Sequence, residues 1–151
     1  MKANFKIFLI SMLSFIICLI PIHAMDIESN DNGIVIQVNR EGKPIETDDE
    51  RWVYYPKLDK VVLLNGNFTF TSYPVSCTVE NHGTIVDGIF YSPIYNYGMV
   101  NDGAFYGTFY NTTKGKINFG MFYEHVFNEN GGTIKKGSFY NKVRHCKKFI
   151  F

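Results

Sequence analysis

The chain reads YPVSCTVENHGTIVD at residues 73–87, GIFYSPIYNYGMVND at 88–102, GAFYGTFYNTTKGKINF at 103–119, GMFYEHVFNENGGTIKK at 120–136 and GSFYNKVRH at 137–145. The segments over residues 88–136 share the form G-x-F-Y-x-x-apolar-x-N, a short loop, and then G-x-I-x-x, with Val100 in place of Ile in the first of them. The segment at 73–87 keeps the Asn and the G-x-I part without the opening G-x-F-Y, and the segment at 137–145 is a partial fifth repeat. A short repeat of this kind is typical of solenoids, in which each coil buries its apolar side chains only by stacking on its neighbours.

Three apolar columns run through these segments. In the longer coils they recur at intervals of four, eight and five residues, which indicates three short faces with one inward side chain each. Outside the first 24 residues no window has helical apolar spacing, and glycine recurs too often for helix interiors. The columns are Val75, Phe90, Phe105, Phe122 and Phe139; Val79, Ile94, Phe109, Val126 and Val143; and Ile85, Val100, Ile117 and Ile134.

Polar columns follow the same register. Glycines at two positions of each coil predict bends that need positive φ or close backbone approach. The change from 15 to 17 residues is confined to the loop after a repeated asparagine. Stacked asparagine amides can hydrogen-bond along a solenoid axis, so this column predicts a structural ladder formed by Asn81, Asn96, Asn111 and Asn128.

These patterns predict an all-β, single-stranded β-solenoid of about 4–5 coils of 15–17 residues over residues 73–145. Right-handed crossovers are expected between its parallel strands, as in a right-handed parallel β-helix. The end of a solenoid exposes an apolar cross-section and unpaired strand edges. Residues 33–72, with two predicted strands at 52–55 and 61–64 and a tight turn at Asn65-Gly66, are expected to form an N-terminal β cap.

The two termini carry different signals. Residues 1–24 combine a positive start, an apolar stretch and a small residue at a cleavage point, which predicts a signal peptide and a secreted or cell-surface protein. The alternative is an uncleaved anchor, which would be the only segment inserted in a membrane. Residues 25–32 are interpreted as a flexible lead, and residues 146–151 as a basic C-terminal tail.

The charge distribution excludes one class of function. Without Lys2 and Lys6 the chain has 13 basic and 14 acidic residues, unlike the basic footprint of a nucleic-acid-binding protein. No acidic residue follows Glu129, whereas six basic residues do. That basic end either contacts an anionic wall polymer or membrane, or is a solvated tail.

The motifs also carry a family resemblance. Trp52-x-Tyr54 leading to Val62-x-Leu64-x-Gly66, followed by G-x-F-Y repeats and N-x-G-x-I, resembles secreted or surface β-helix repeat proteins of Gram-positive gut bacteria. The resemblance covers about residues 50–145 and implies a right-handed β-helix displayed at the cell surface, most often without an assigned activity.

The sequence lacks the local signatures of common enzymes, including G-x-S-x-G, H-E-x-x-H, a P-loop and C-x-x-C. Asp87 and Asp102 share a coil position and are weak candidates for a shared calcium ion, or else solvated corner carboxylates. No cofactor is expected. Cys77 and Cys146 lie four turns apart, roughly 19 Å at the spacing of adjacent strands, which is too far for an intramolecular disulfide. The two thiols are therefore either free or join separate molecules.

The best candidate for binding is a tyrosine row. If the phenylalanine column points inward, strand alternation directs Tyr91, Tyr106, Tyr123 and Tyr140 outward. The row either binds a ligand, such as a glycan or a cell-surface protein, or stabilises the sheet by stacking. We expect a non-enzymatic surface-interaction or structural module, able to stack end to end; the alternative is a small polysaccharide lyase or hydrolase, or a remnant of one.

Overall fold

The computed structural model describes residues 33–147. The predicted signal peptide, the flexible lead and residues 148–151 of the tail lie outside this range. The described chain forms β-strands and one short 3-10 turn at Pro56–Leu58. Its strands stack into about five coils, which confirms the predicted all-β solenoid. Within residues 33–147 no helix is long and apolar enough to cross a membrane.

The first face of the solenoid is a six-stranded sheet, and every pairing within it is parallel. Its order follows the chain, because each coil adds one strand to the previous coil. In that order the strands are β1 (Ile34–Gln37), β4 (Asn67–Thr71), β6 (Thr84–Asp87), β9 (Met99–Val100), β12 (Lys116–Ile117) and β15 (Thr133–Ile134).

The second face is a four-stranded parallel sheet that carries the phenylalanine column. A single bridge between Val75 and Phe90 continues it by one coil upstream. Its strands are β7 (Ile89–Phe90), β10 (Ala104–Phe105), β13 (Met121–Phe122) and β16 (Ser138–Phe139).

The third face is a seven-stranded sheet in which six strands are parallel and the terminal one is not. The terminal strand β2 runs antiparallel to β3, which interrupts the parallel stack at its N-terminal end. In spatial order the strands are β2 (Trp52–Tyr55), β3 (Lys60–Leu63), β5 (Thr78–Asn81), β8 (Ile94–Asn96), β11 (Phe109–Asn111), β14 (Val126–Glu129) and β17 (Val143–Cys146).

The parallel stacking begins upstream of the repeats visible in the sequence. Strand β3 pairs parallel with β5, and β1 pairs parallel with β4. Residues 60–71 thus already follow the path of a coil, and the buried Trp52 lies beside them. These strands lack the G-x-F-Y motif. Their apolar alternation and Gly66, which precedes β4 as Gly83 precedes β6, relate them to the later coils.

The interior contains a column of stacked aromatic rings, flanked by aliphatic side chains. Phe90, Phe105, Phe122 and Phe139 stack with ring centroids 4.9–5.1 Å apart. The rings of Phe105 and Phe122 also meet Phe109 edge-on. Full burial of such side chains contributes about 1.5–3 kcal/mol each, so the stacked columns account for the cohesion between coils.

Glycine is required at the two coil corners for different reasons. Gly103 has φ +139°, a conformation that side chains with a Cβ rarely adopt. At Gly98 the backbone conformation is ordinary, but a Cβ would collide with the carbonyl oxygen of Gly83 in the preceding coil. The first corner needs unusual torsion angles, and the second needs close backbone approach.

Candidate interaction surface

The outer side of the four-stranded sheet is apolar and aromatic. Because its phenylalanines point inward, the residues on either side of them point outward. Tyr91, Tyr106 and Tyr140 are 55%, 40% and 64% exposed. None of the residues at these outward positions is charged. We call this surface the tyrosine face; it consists of the outward positions Ile89, Tyr91, Ala104, Tyr106, Met121, Tyr123, Ser138 and Tyr140, of which Ala104 is buried.

The tyrosine rings are stacked on one another along the solenoid axis. The rings of Tyr106 and Tyr123 are stacked, with centroids 4.2 Å apart and planes within 2° of parallel. Tyr123 and Tyr140 stack at 4.7 Å, whereas Tyr91 meets Tyr106 at an angle of 73°. Both faces of the Tyr123 ring are consequently covered, by Tyr106 and Tyr140, and one face of the Tyr106 ring is covered by Tyr123. The row presents ring edges and hydroxyl groups outward, and its uncovered ring faces lie toward its two ends.

The hydroxyl groups of the central tyrosines interact. Hydrogen bonding to Tyr106, with a smaller contribution from burial, raises the pKa of the Tyr123 phenol. The Tyr123 phenol therefore stays protonated at neutral pH, and a phenol hydroxyl can donate as well as accept a hydrogen bond. The row is a neutral line of donors and acceptors on an apolar background.

A second aromatic column lies on the outer side of the seven-stranded sheet. Tyr95 stacks on Tyr110 at 4.9 Å, and Tyr110 on Phe127 at 5.3 Å. The guanidinium of Arg144, at the same position in the next coil, lies 6.0 Å from the Phe127 ring centroid. A cation over an aromatic face is attracted by the ring quadrupole. The cation at the end of this column was not predicted, although its place in the repeat register would have located it.

The four repeated asparagines form a buried ladder. Asn81 Nδ2 donates to Asn96 Oδ1 at 2.8 Å, Asn96 Nδ2 to Asn111 Oδ1 at 2.8 Å, and Asn111 Nδ2 to Asn128 Oδ1 at 2.6 Å. All the amides point the same way along the axis. His145 occupies the next position, with its Nδ1 3.5 Å from Asn128 Nδ2. The ladder lies inside the solenoid, which makes it a structural element and not a ligand surface.

The structure places Asp87 and Asp102 at equivalent, exposed corners of neighbouring coils. In each residue Oδ1 accepts a hydrogen bond from the N–H of the following glycine, at 2.7 Å. Among residues 33–147 no group of three or more His, Cys, Asp or Glu side chains is arranged to hold a metal ion. Calcium takes six to eight oxygen ligands, and two corner carboxylates supply few of them.

One cluster of charged side chains was not predicted from the sequence. Lys60 Nζ lies 2.8 Å from Glu80 Oε2, and His82 Nε2 lies 2.9 Å from Glu80 Oε1. The His82 ring in turn stacks on Tyr97 at 4.8 Å. Burial alone would raise the pKa of Glu80, but the hydrogen bonds from Lys60 and His82 outweigh it and lower that pKa below its usual 4.5.

We predict that Glu80→Gln lowers the free energy of unfolding at neutral pH by about 0.2–1 kcal/mol, the range of a partly exposed ion pair. Because the folded state lowers the pKa of Glu80, the ionised carboxylate stabilises the fold above pH 4.5, and this contribution is lost as the pH falls through the lowered pKa. Urea titrations of both proteins between neutral and acidic pH would measure the difference. The exposed Glu41→Gln is the control, and a Glu80 effect that persisted undiminished in acid would contradict this assignment.

The two described cysteines are both free. Cys77 is buried beside β5, and desolvation raises the pKa of its thiol to about 11. Desolvation also raises the pKa of Cys146, at the end of β17. Thiols with raised pKa values contain little thiolate at neutral pH and are poor nucleophiles.

The chain was compared with protein-family models, with curated proteins and with solved structures. No match was found in any of the three comparisons. The assignment of a β-solenoid fold rests on the stacking of strands in the three sheets. The resemblance to surface proteins of Gram-positive gut bacteria stays a hypothesis that rests on the repeat motifs.

Proposed function

We propose that the chain is a non-catalytic extracellular interaction module, secreted or displayed at the cell surface, that binds its ligand on the tyrosine face. One observation carries the proposal: the outward positions of all four strands are apolar, aromatic or hydroxyl-bearing, and none is charged. Sheets that face water usually alternate apolar inward residues with polar outward ones. An exposed apolar row on a soluble surface tends to mark an interaction site.

Carbohydrate is the ligand class that suits this chemistry. The row offers neutral hydroxyl donors and acceptors at intervals of one coil, a length scale comparable with that of a linear glycan. A sugar ring could stack on the tyrosine at the end of the row, because Tyr140 is more exposed than Tyr91 or Tyr106. The central tyrosines would contribute hydroxyl groups and ring edges, since their faces cover each other.

The same stacking supports a second role for the row. Offset aromatic pairs contribute about 0.5–1.5 kcal/mol each beyond the burial of their surface. Tyr106 and Tyr123, stacked at 4.2 Å, hold neighbouring coils together whether or not a ligand is bound. A purely structural module, with a protein partner or none, is therefore the competing function.

The test compares how much of the purified protein and how much of the variant Tyr106→Ala/Tyr123→Ala is retained on a panel of polysaccharides. We expect the double variant to lose retention of at least one glycan by about tenfold or more, as for truncation of central interface tyrosines. The matched control is Tyr95→Ala/Tyr110→Ala, which removes a stacked pair from a different sheet. Circular dichroism establishes that each variant is folded. Equal losses in both variants, or no retention by the unaltered protein, would leave only the structural role.

A second variant distinguishes the contribution of the tyrosine hydroxyl groups to glycan binding from that of the rings. Tyr106→Phe/Tyr123→Phe keeps the stacked rings and removes the outward hydroxyls. Because the ring faces are covered, we expect this variant to lose glycan retention almost as fully as the alanine variant. Unchanged retention would mean that the ligand contacts ring surface and not the hydroxyl row.

The alternative of a polysaccharide-active enzyme would depend on Asp87 and Asp102. Each of these carboxylates already accepts a backbone hydrogen bond from its own corner, which fits a structural turn better than a base or a calcium ligand. Turnover of uronate polymers in the presence of calcium, abolished by Asp87→Ala, would promote the enzyme over the binding module.

A further inference from the structure

The C-terminal end of the solenoid is uncovered within the described residues. Ile134, Phe139 and Val143 are only partly buried, whereas their counterparts one coil earlier are at most 1% exposed. Strands β15, β16 and β17 are the last strands of the three sheets, so their outer edges carry backbone groups that no strand within residues 33–147 pairs with. Such an end is a template for another strand edge.

The two ends of the chain carry opposite charge. Residues 130–151 contain six basic residues and no acidic one. Five of the six are exposed around the uncovered end: Lys135, Lys136, Lys142, Arg144 and Lys147. At the N-terminal end of the described solenoid, residues 33–59 contain six acidic and four basic residues. The charge is therefore polarised along the direction in which the coils stack.

The acidic residues of the N-terminal side lie next to a sheet edge as well. Residues 46–50 line a shallow cleft together with Trp52, Val53 and Tyr54 of the terminal strand β2. Asp49 is already paired with Arg51, at 2.6 Å, while Glu46, Asp48 and Glu50 are exposed. A strand that docks along β2 would meet three carboxylates.

We propose that the protein assembles head to tail, with the basic C-terminal end of one copy docking on the acidic N-terminal end of the next. Two basic ends, or two acidic ends, would repel each other, so charge selects this arrangement over symmetric pairs. Strand β17 is parallel to the stack and β2 runs against it, so the two edges would meet as an antiparallel pair. A head-to-tail contact uses two different surfaces, and when the copies stack along one axis it produces open chains of molecules. This inference does not depend on what the tyrosine face binds.

Sedimentation velocity of the purified full chain over a range of concentrations tests the assembly. We expect the mean mass to rise with concentration at about 0.01 M ionic strength and to fall at about 1 M, where charges are screened beyond about 3 Å. Reversal of the basic end, in Lys135→Glu/Lys136→Glu/Lys142→Glu/Lys147→Glu, leaves two basic and four acidic residues in 130–151. This variant should weaken association by at least about tenfold, and so should Glu46→Lys/Asp48→Lys/Glu50→Lys. Lys114→Glu/Lys116→Glu, on the side of the solenoid, is the matched control and should assemble normally.

Mixing the two reversed variants gives the sharpest result. Each alone has two ends of the same charge, whereas an alternating mixture restores opposite charges at every junction, so we expect assembly to return. A protein that stays monomeric at low ionic strength, or folded variants whose mixture does not assemble, would overturn the proposal. A monomer whose basic end instead binds a soluble polyanion such as dextran sulfate would overturn it in favour of an anionic polymer as the partner.

Discussion

Phe105→Ala is expected to lower the free energy of unfolding by about 3–5 kcal/mol, the cost of truncating a fully buried phenylalanine. The ring is stacked between Phe90 and Phe122 and meets Phe109 edge-on. Its removal opens a cavity at the centre of the column and separates coils on both sides. Since domains of this size are stable by about 5–15 kcal/mol in total, the variant should unfold at a much lower urea concentration.

The control for this effect is Phe119→Ala, which removes the same side chain from a position that is 43% exposed. Exposed positions away from special contacts change stability by about 0.5 kcal/mol or less. Urea unfolding followed by circular dichroism compares the two variants directly. Similar losses in both would mean that the phenylalanine column is not the main source of cohesion between coils.

Asn111→Ala is expected to lower the free energy of unfolding by about 2–4 kcal/mol. It leaves Asn128 Oδ1 without its ladder donor, and it leaves Asn96 Nδ2 with only a 3.4 Å hydrogen bond to the carbonyl oxygen of Lys116. Asn111 accepts from Asn96 Nδ2 and donates to Asn128 Oδ1. Each buried polar group left unpaired costs about 1–3 kcal/mol. The effect should exceed that of losing one hydrogen bond, since the ladder is interrupted in its middle.

An asparagine pair elsewhere in the solenoid provides the comparison. Asn118 Nδ2 donates to Asn101 Oδ1 at 2.8 Å, a similar bond in an exposed setting. Water can replace the lost partner there, so Asn118→Ala should change the free energy of unfolding by about 0.5 kcal/mol or less. Equal effects of the two substitutions in urea titrations would show that burial of the ladder contributes nothing to its strength.

The direction of the ladder explains an unpaired atom at its start. Every amide nitrogen donates toward the C-terminal coil, so the first oxygen, Asn81 Oδ1, has no donor before it and lies buried without a hydrogen-bond partner. The position before Asn81 in the register is Leu63, which cannot donate. The transition from apolar to polar side chains in this column thus leaves one oxygen unsatisfied.

Much of the solenoid could be predicted from the repeat. Residues at equal positions of successive coils pair in register, as Phe109 does with Ile94 and with Val126. Once the apolar phenylalanine column is assigned to the interior, strand alternation directs the tyrosines outward. The orientation of the tyrosine rings did not, because it depends on side-chain torsions that the packing of neighbouring coils selects.

Contacts that involve residues outside the repeat could not be predicted from the sequence, because no periodic pattern relates the two partners. Lys60 and Glu80 meet because β3 and β5 are neighbours in one sheet, and Lys60 lies before the first recognisable repeat. Nor does any motif indicate that β2 pairs antiparallel with β3 and ends that sheet. Strand direction in this segment is set by the 3-10 turn at Pro56–Leu58 and by burial of Trp52, which involve no repeated pattern.

By itself the sequence determined that this protein is a stack of short β coils, because a fixed period with three apolar columns can bury those columns only by stacking. It also determined the polarity of charge along the chain, which needs only counting. The tertiary structure alone decided that the tyrosine rings cover one another's faces, that Glu80 joins Lys60 to His82, and that β2 reverses at the N-terminal edge. Periodicity specifies which residues share a column, whereas ring planes, ion pairs and the pairing of non-repeating strands depend on packing between segments that no period relates.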